Sequence, residues 1–71
     1  PSAMDIRKTI GRKIRSARIQ AQVSQEELAD VSGFSQQYIS ELETGKRNPT
    51  IASLQAICAA LNKSVGFLFL D

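Results

Sequence analysis

Residues Gln25 to Thr44 read QEELADVSGFSQQYISELET, and the spacing within this stretch decides the fold. Leu28, Ile39 and Leu42 fall where two short helices can share one core, Ala29 is small enough to let the second helix approach, and Gly33 supplies a positive φ between them. The pattern is two helices joined by a tight turn. Ser24 precedes Gln25, Glu26 and Glu27, so it predicts an N-cap, with Glu27 completing a capping box and the first helix running from Gln25 to the Ser32-Gly33 turn. Ser35 predicts the cap of the second helix, which continues to Leu42 or Glu43 and stops at Thr44-Gly45. The face of that helix not needed for the core carries Ser35, Gln36, Gln37, Ser40 and Glu41. These side chains are short or amide-bearing, can hydrogen-bond to base edges, and lack the bulk to block a groove.

Helices this short are not stable alone, so flanking segments must hold them. From Asp5 to about Ala21, Ile6, Ile10, Ile14 and Ala17 recur at steps of four, four and three, which predicts an amphipathic helix with those residues buried. Asp5 places a negative charge at its start. Gly11 costs roughly 1 kcal/mol relative to alanine inside a helix and is expected to mark close packing against another helix. Beyond the pair, Lys46 to Pro49 form a loop, and Thr50 caps a fourth helix with Ile51, Leu54, Ile57, Cys58 and Leu61 on its buried side. Asn62 and Lys63 end it. The segment Ser64 to Leu70, SVGFLFL, is apolar on every face, so periodicity leaves helix and strand open; a last short helix capped by Ser64 is the favoured reading. Phe67, Leu68, Phe69 and Leu70 need cover from the chain's own core or from a second copy.

Composition excludes several classes. Seventy-one residues make one small domain. A lone Cys58 cannot form an internal disulfide and fits a small core residue; without histidine, no His/Cys metal cluster or histidine-based catalytic dyad can be built. Neither cofactor, metal nor catalytic residue is therefore expected. No apolar run approaches the ~20 residues of a membrane span, and a secretory signal is not expected, which places the chain in the cytoplasm. Pro1, Ser2 and Ala3 look like a remnant of recombinant expression, giving a native start at Met4 and a domain over 4–71. The net charge is only +2, yet six of the nine basic residues, Arg7, Lys8, Arg12, Lys13, Arg15 and Arg18, lie in the first eighteen positions, and Lys46 and Arg47 follow the second helix of the pair. Such placement suits phosphate contact.

Taken in order, the strings RIQ at Arg18 to Gln20, SQEELA at Ser24 to Ala29, SQQYIS at Ser35 to Ser40, LETGKRNP at Leu42 to Pro49 and AALNKSVGFLF at Ala59 to Phe69 resemble the Cro and repressor type of helix-turn-helix, the regulator family that includes the lambdoid phage repressors. The resemblance implies an all-α, compact, five-helix lambda-repressor-like domain with the helix-turn-helix as helices 2 and 3. It further implies a homodimer on double-stranded DNA, helix 3 of each copy lying in the major groove at half-sites about one DNA turn apart.

By position, Gln36 and Gln37 become the main base readers, an amide matching adenine N6 and N7, with Ser40, Glu41 and Tyr38 beside them. Glu41 accepts from cytosine N4 or rejects wrong sequences by repulsion, and Tyr38 contacts a thymine methyl or the backbone, or packs on the neighbouring helix. Gln25 matches the position that grips a phosphate and braces the first glutamine of helix 3. Ser24, Ser35, Lys46, Arg47 and Asn48 are the other phosphate contacts. Arg18 and Glu43 match a partly buried ion pair tying helix 1 to helix 3, and Val65, Phe67 and Phe69 match the dimer contact. Thr50 stands where some phage repressors carry an arginine that enters the minor groove, which argues against readout there.

Three functions are compatible with this pattern. The first is a sequence-specific DNA-binding regulator, in most such proteins a repressor, on a two-fold symmetric operator. The second, within the same class, is an antitoxin or restriction-modification controller acting on its own promoter, with a further protein partner in the antitoxin case. The third is a protein-interaction module that keeps the helices without DNA contact, to which the low net charge and Glu26, Glu27, Asp30 and Glu41 would belong. An enzyme is not expected.

Overall fold

The computed structural model describes residues 3–70, so Pro1 and Ser2 of the expected remnant lie outside the described residues, as does the side chain of Asp5. Four α-helices follow in order: α1 (Ala3–Gln20), α2 (Gln25–Ser32), α3 (Gln36–Glu43) and α4 (Ile51–Ala60), with a 3-10 helix at Val65–Phe69 and no strand among the described residues.

The ends of these helices are set locally. The Ser24 hydroxyl accepts from the Glu27 N–H at 3.0 Å while the Glu27 carboxylate accepts from the Ser24 N–H at 2.9 Å, a complete capping box. That box holds the Glu27 carboxyl below its ordinary range, chiefly through the Ser24 backbone N–H. Its contribution is therefore present above the usual carboxylate pKa and fades as pH falls through the lowered one. The Ser35 and Thr50 hydroxyls accept from the Tyr38 and Ser53 N–H groups and cap α3 and α4. Each α-helix is followed by a left-handed residue: Gln22 after α1, Gly33 after α2, Gly45 after α3 and Asn62 after α4. The Phe34, Lys46 and Lys63 N–H groups then close back on the Ala29, Glu41 and Cys58 carbonyls.

One core joins these elements. Ile10, Ile14 and Ala17 of α1, Leu28 and Ala29 of α2, Ile39 and Leu42 of α3, Leu54, Ile57 and Cys58 of α4, Leu61, and Leu68 of the 3-10 helix are all buried. Cys58 is wholly enclosed, and burial pushes its thiol up. Gly11 lies where α1 meets the last turn of α3; a Cβ there would sit 2.5 Å from the Leu42 carbonyl oxygen and 2.6 Å from that of Glu43.

Three expectations are corrected. The fifth helix is a short 3-10 turn rather than an α-helix, and although Ser64 has an extended cap conformation, its hydroxyl makes no cap hydrogen bond. The Phe67 N–H instead bonds the Ser64 carbonyl, an i→i+3 closure that rotates Leu68 into the core and leaves Phe69 57% exposed. Ile6 and Ile51, expected in the core, are 48% and 59% exposed. Both sit near the N-terminal ends of their helices, beyond the reach of the packed interior, where they line a shallow groove with Pro49 and Phe69.

Candidate nucleic-acid interface

The second helix of the turn is fixed from below and from behind. Ile39 and Leu42 anchor α3 in the core, and Glu43, its last residue, is buried. The Glu43 carboxylate accepts from Arg18 Nε at 2.6 Å and Nη2 at 3.1 Å, a two-point pair with α1. Its Oε1 also accepts from Gln25 Nε2 at 3.1 Å, bringing in α2, while Arg18 Nη1 donates to the Val23 carbonyl at 3.0 Å. The first three helices therefore meet at a single carboxylate. Gln25, expected to brace Gln36, directs its amide Nε2 to Glu43.

With the inner side of α3 so occupied, its outer side faces solvent. Gln36 and Gln37 are exposed at its first turn, and Ser40 and Glu41 lie half-buried one turn further. Ser24 and Ser35 are exposed at the two cap positions, and Lys46, Arg47 and Asn48 are exposed in the loop that leaves α3. The ring of Tyr38 stacks on Phe34 of the turn, centroids 4.5 Å apart and planes within 13°. Phe34 was not singled out in the sequence. The signal was available in its spacing of four residues from Tyr38 across the turn.

The loop does not simply point outward. Arg47 Nε donates to Glu41 Oε1 at 2.8 Å, and its guanidinium carbon lies 5.0 Å from the Tyr38 ring centroid. The Arg47 hydrogen bond holds the Glu41 carboxyl below its ordinary range, with Gln37 and the nearby Lys46 adding to the effect. Gln37 Nε2 reaches the other Glu41 oxygen at 3.5 Å, the long limit of a hydrogen bond. Two glutamines, a carboxylate and an arginine thus share one exposed surface.

Of the expected dimer residues, Phe69 is exposed, whereas Val65 and Phe67 pack against the core. Phe67 is further held by Lys13, whose ammonium donates to its carbonyl at 3.3 Å. Ile6 and Ile51, assigned to the core, share the exposed groove with Phe69. Among the described residues, no group of His, Cys, Asp and Glu could hold a metal ion, and no helix is long and apolar enough to cross a membrane.

An amide-bearing helix held outward across a capped, glycine-closed turn, with basic residues beside it, defines a DNA-binding helix-turn-helix domain. The chain belongs to the Helix-turn-helix family, whose model matches residues 14–68, and within it to the Cro and repressor type, a family of transcriptional regulators and not an enzyme class. It is 46% identical over 61 residues to the HTH-type transcriptional regulator y4dJ of Sinorhizobium fredii, covering 86% of this chain and 79% of that protein. It is 40% identical over 62 residues to the control protein C.SmaI of Serratia marcescens, covering 87% and 74% of the two. The crystal structure of the restriction-modification controller protein C.AhdI from Aeromonas hydrophila matches with a TM-score of 0.87 and 31% identity, over 92% of this chain and 97% of that one.

Proposed function

We propose that the chain is a sequence-specific regulator that binds double-stranded DNA as a homodimer, with α3 of each copy in the major groove of a two-fold symmetric operator, and represses by occupying it. The exposed first turn of α3, with Gln36 and Gln37 free of the core, is the observation that carries this reading. In it the two glutamines read bases together with Ser40 and Glu41, while Gln25, Ser24, Ser35, Lys46 and Asn48 hold phosphates. Such a regulator works in the cytoplasm, where its operator is.

Selection of bound duplexes from a random pool at physiological salt tests it. An inverted repeat with half-sites about one DNA turn apart, ~34 Å, is expected. Absence of any enrichment, with no retention at low salt, would overturn the reading in favour of a protein-interaction module. Gln37→Ala is expected to cost ~1 to 3 kcal/mol of discrimination at one or two base pairs of each half-site and to leave the salt dependence unchanged. Equal weakening on every sequence would remove Gln37 from the list of readers.

Dimerisation is assigned to the apolar groove of Ile6, Ile51 and Phe69, whose side chains are large, exposed and adjacent. Burying a phenylalanine is worth ~1.5 to 3 kcal/mol, so Phe69→Asp is expected to raise the dimer dissociation constant by at least about tenfold in sedimentation equilibrium. Because Phe69 is exposed in one copy, the unfolding of the variant monomer should be little changed. An unaltered dimer would place the interface elsewhere.

A more specific reading, control of a restriction-modification system through its own promoter, is favoured by the relatives: the control protein C.SmaI and the controller C.AhdI both match over nearly all of this chain. Binding to the chain's own upstream DNA is its test.

A further inference from the structure

We propose that Glu41 is a positioning residue for Arg47, a built-in competitor that keeps the guanidinium off the DNA backbone until the correct base takes the carboxylate away. The inference rests on the DNA-binding reading above and assigns to Glu41 and Arg47 a coupled role in place of separate ones.

Its basis is the arrangement at the outer surface of α3. Arg47 belongs to the loop that borders the helix, where an arginine extended into solvent would be free to take a phosphate from any duplex. It is instead bonded through Nε to Glu41 at 2.8 Å and lies on the Tyr38 ring, which is itself braced by Phe34. A carboxylate is the closest protein mimic of a phosphate oxygen pair, so Glu41 occupies the arginine with the chemistry that DNA would offer. The pair is also weak enough to exchange: both side chains are solvent-accessible, at 48% and 31% exposure, and exposed pairs contribute little.

Exchange is nonetheless conditional. If Arg47 leaves for a phosphate, Glu41 remains as a carboxylate beside a polyanion, which is unfavourable unless it finds a donor. In the major groove the donor that suits a carboxylate is cytosine N4. On a duplex with cytosine opposite Glu41, one charge-assisted bond is given up and two are gained. On a duplex without it, Arg47 stays on Glu41 and a phosphate contact is withheld. Gln37, within 3.5 Å of the second Glu41 oxygen, places this exchange beside a base-reading side chain. Discrimination here comes from suppressing the sequence-independent contact.

The test is a double-mutant cycle read on a short mixed-sequence duplex across a salt series, using the full chain with Glu41→Gln, Arg47→Ala and both changes. With Arg47 present, Glu41→Gln is expected to raise mixed-sequence affinity by about threefold to fivefold and to steepen the slope of log K against log salt by about 0.9, one additional phosphate contact. With Ala at position 47, the same change is expected to leave the slope where it was. An equal gain in both backgrounds would mean that Glu41 acts by direct repulsion of DNA and would overturn the coupling. No gain in either background would overturn it as well. Failure of the unaltered chain to bind any duplex at low salt would instead overturn the functional reading on which the inference stands.

Discussion

Replacing Glu43 with alanine is expected to lower folding stability by up to the about 3 to 5 kcal/mol that a fully buried pair loses with one partner, because Arg18, its side chain 12% exposed, is left largely enclosed without its counterion. Arg18 would keep only the Val23 carbonyl, and Gln25 would lose the acceptor that its amide now uses. For a 71-residue domain, whose total stability is roughly 4 to 11 kcal/mol at the usual per-residue values, such a loss is a large share of the whole. Urea unfolding followed by circular dichroism would measure it. Two further variants separate the pair from its surroundings. Arg18→Met with Glu43→Leu replaces both charges by apolar groups of similar volume and is expected to recover most of the loss, because the desolvation cost of both ions disappears with their attraction. Glu43→Gln keeps the shape and some hydrogen bonding and should fall between. If Glu43→Ala cost less than about 1 kcal/mol, the carboxylate would not be the junction of α1, α2 and α3. Glu43 also ends α3, where the helix dipole disfavours a negative charge, so Arg18 compensates for position as well as for burial.

The second large effect is expected at Gly11. In an exposed helix interior, glycine to alanine stabilises by about 1 kcal/mol. Here the sign reverses. The added Cβ would meet the Leu42 and Glu43 carbonyl oxygens at 2.5 and 2.6 Å and the Glu43 carbonyl carbon at 2.8 Å, all main-chain atoms that no rotamer change can move. α1 and the end of α3 would have to separate, and forced insertion into a packed site costs typically ~1 to 3 kcal/mol. Separation would also strain the Arg18–Glu43 pair, which spans the same two helices. Gly11→Ala is therefore expected to lower the unfolding free energy by up to about 2 kcal/mol net and to weaken DNA binding by tilting α3 against its scaffold. A variant more stable than the parent in thermal melts would show that the helices have room to spare.

Most of the scaffold is legible in the sequence because it is specified by local chemistry. Ser24, Ser35 and Thr50 each precede an apolar-periodic run, and a hydroxyl facing the first free N–H groups fixes a helix start with no reference to the rest of the chain. Gly33 and Gly45 fix the ends of α2 and α3 in the same local way. The misjudged features depend on distance in space. SVGFLFL is apolar throughout, so only the core it meets could select a 3-10 turn that buries Leu68 and exposes Phe69. Ile6 and Ile51 satisfy the helical period but lie past the edge of the interior, where periodicity has no say. Among the side-chain pairs, Arg18–Glu43 is reached through the family resemblance, and the others are not legible. The choice of Glu43 by Gln25 spans eighteen residues, and the return of Arg47 onto Glu41 depends on how the loop leaves α3, which composition does not encode.

The enclosure of Cys58 has a practical consequence. It is the chain's single thiol, it is wholly enclosed, and it sits on α4, which packs against α2 of the DNA-binding pair. With its ionisation disfavoured by burial, an alkylating reagent can reach a reactive thiolate only when the interior opens. The labelling rate of one native atom therefore counts the openings of the scaffold beneath α2 and α3. The same count made with operator bound would register how firmly the ligand clamps the domain shut, without a dye, a tag or an introduced residue.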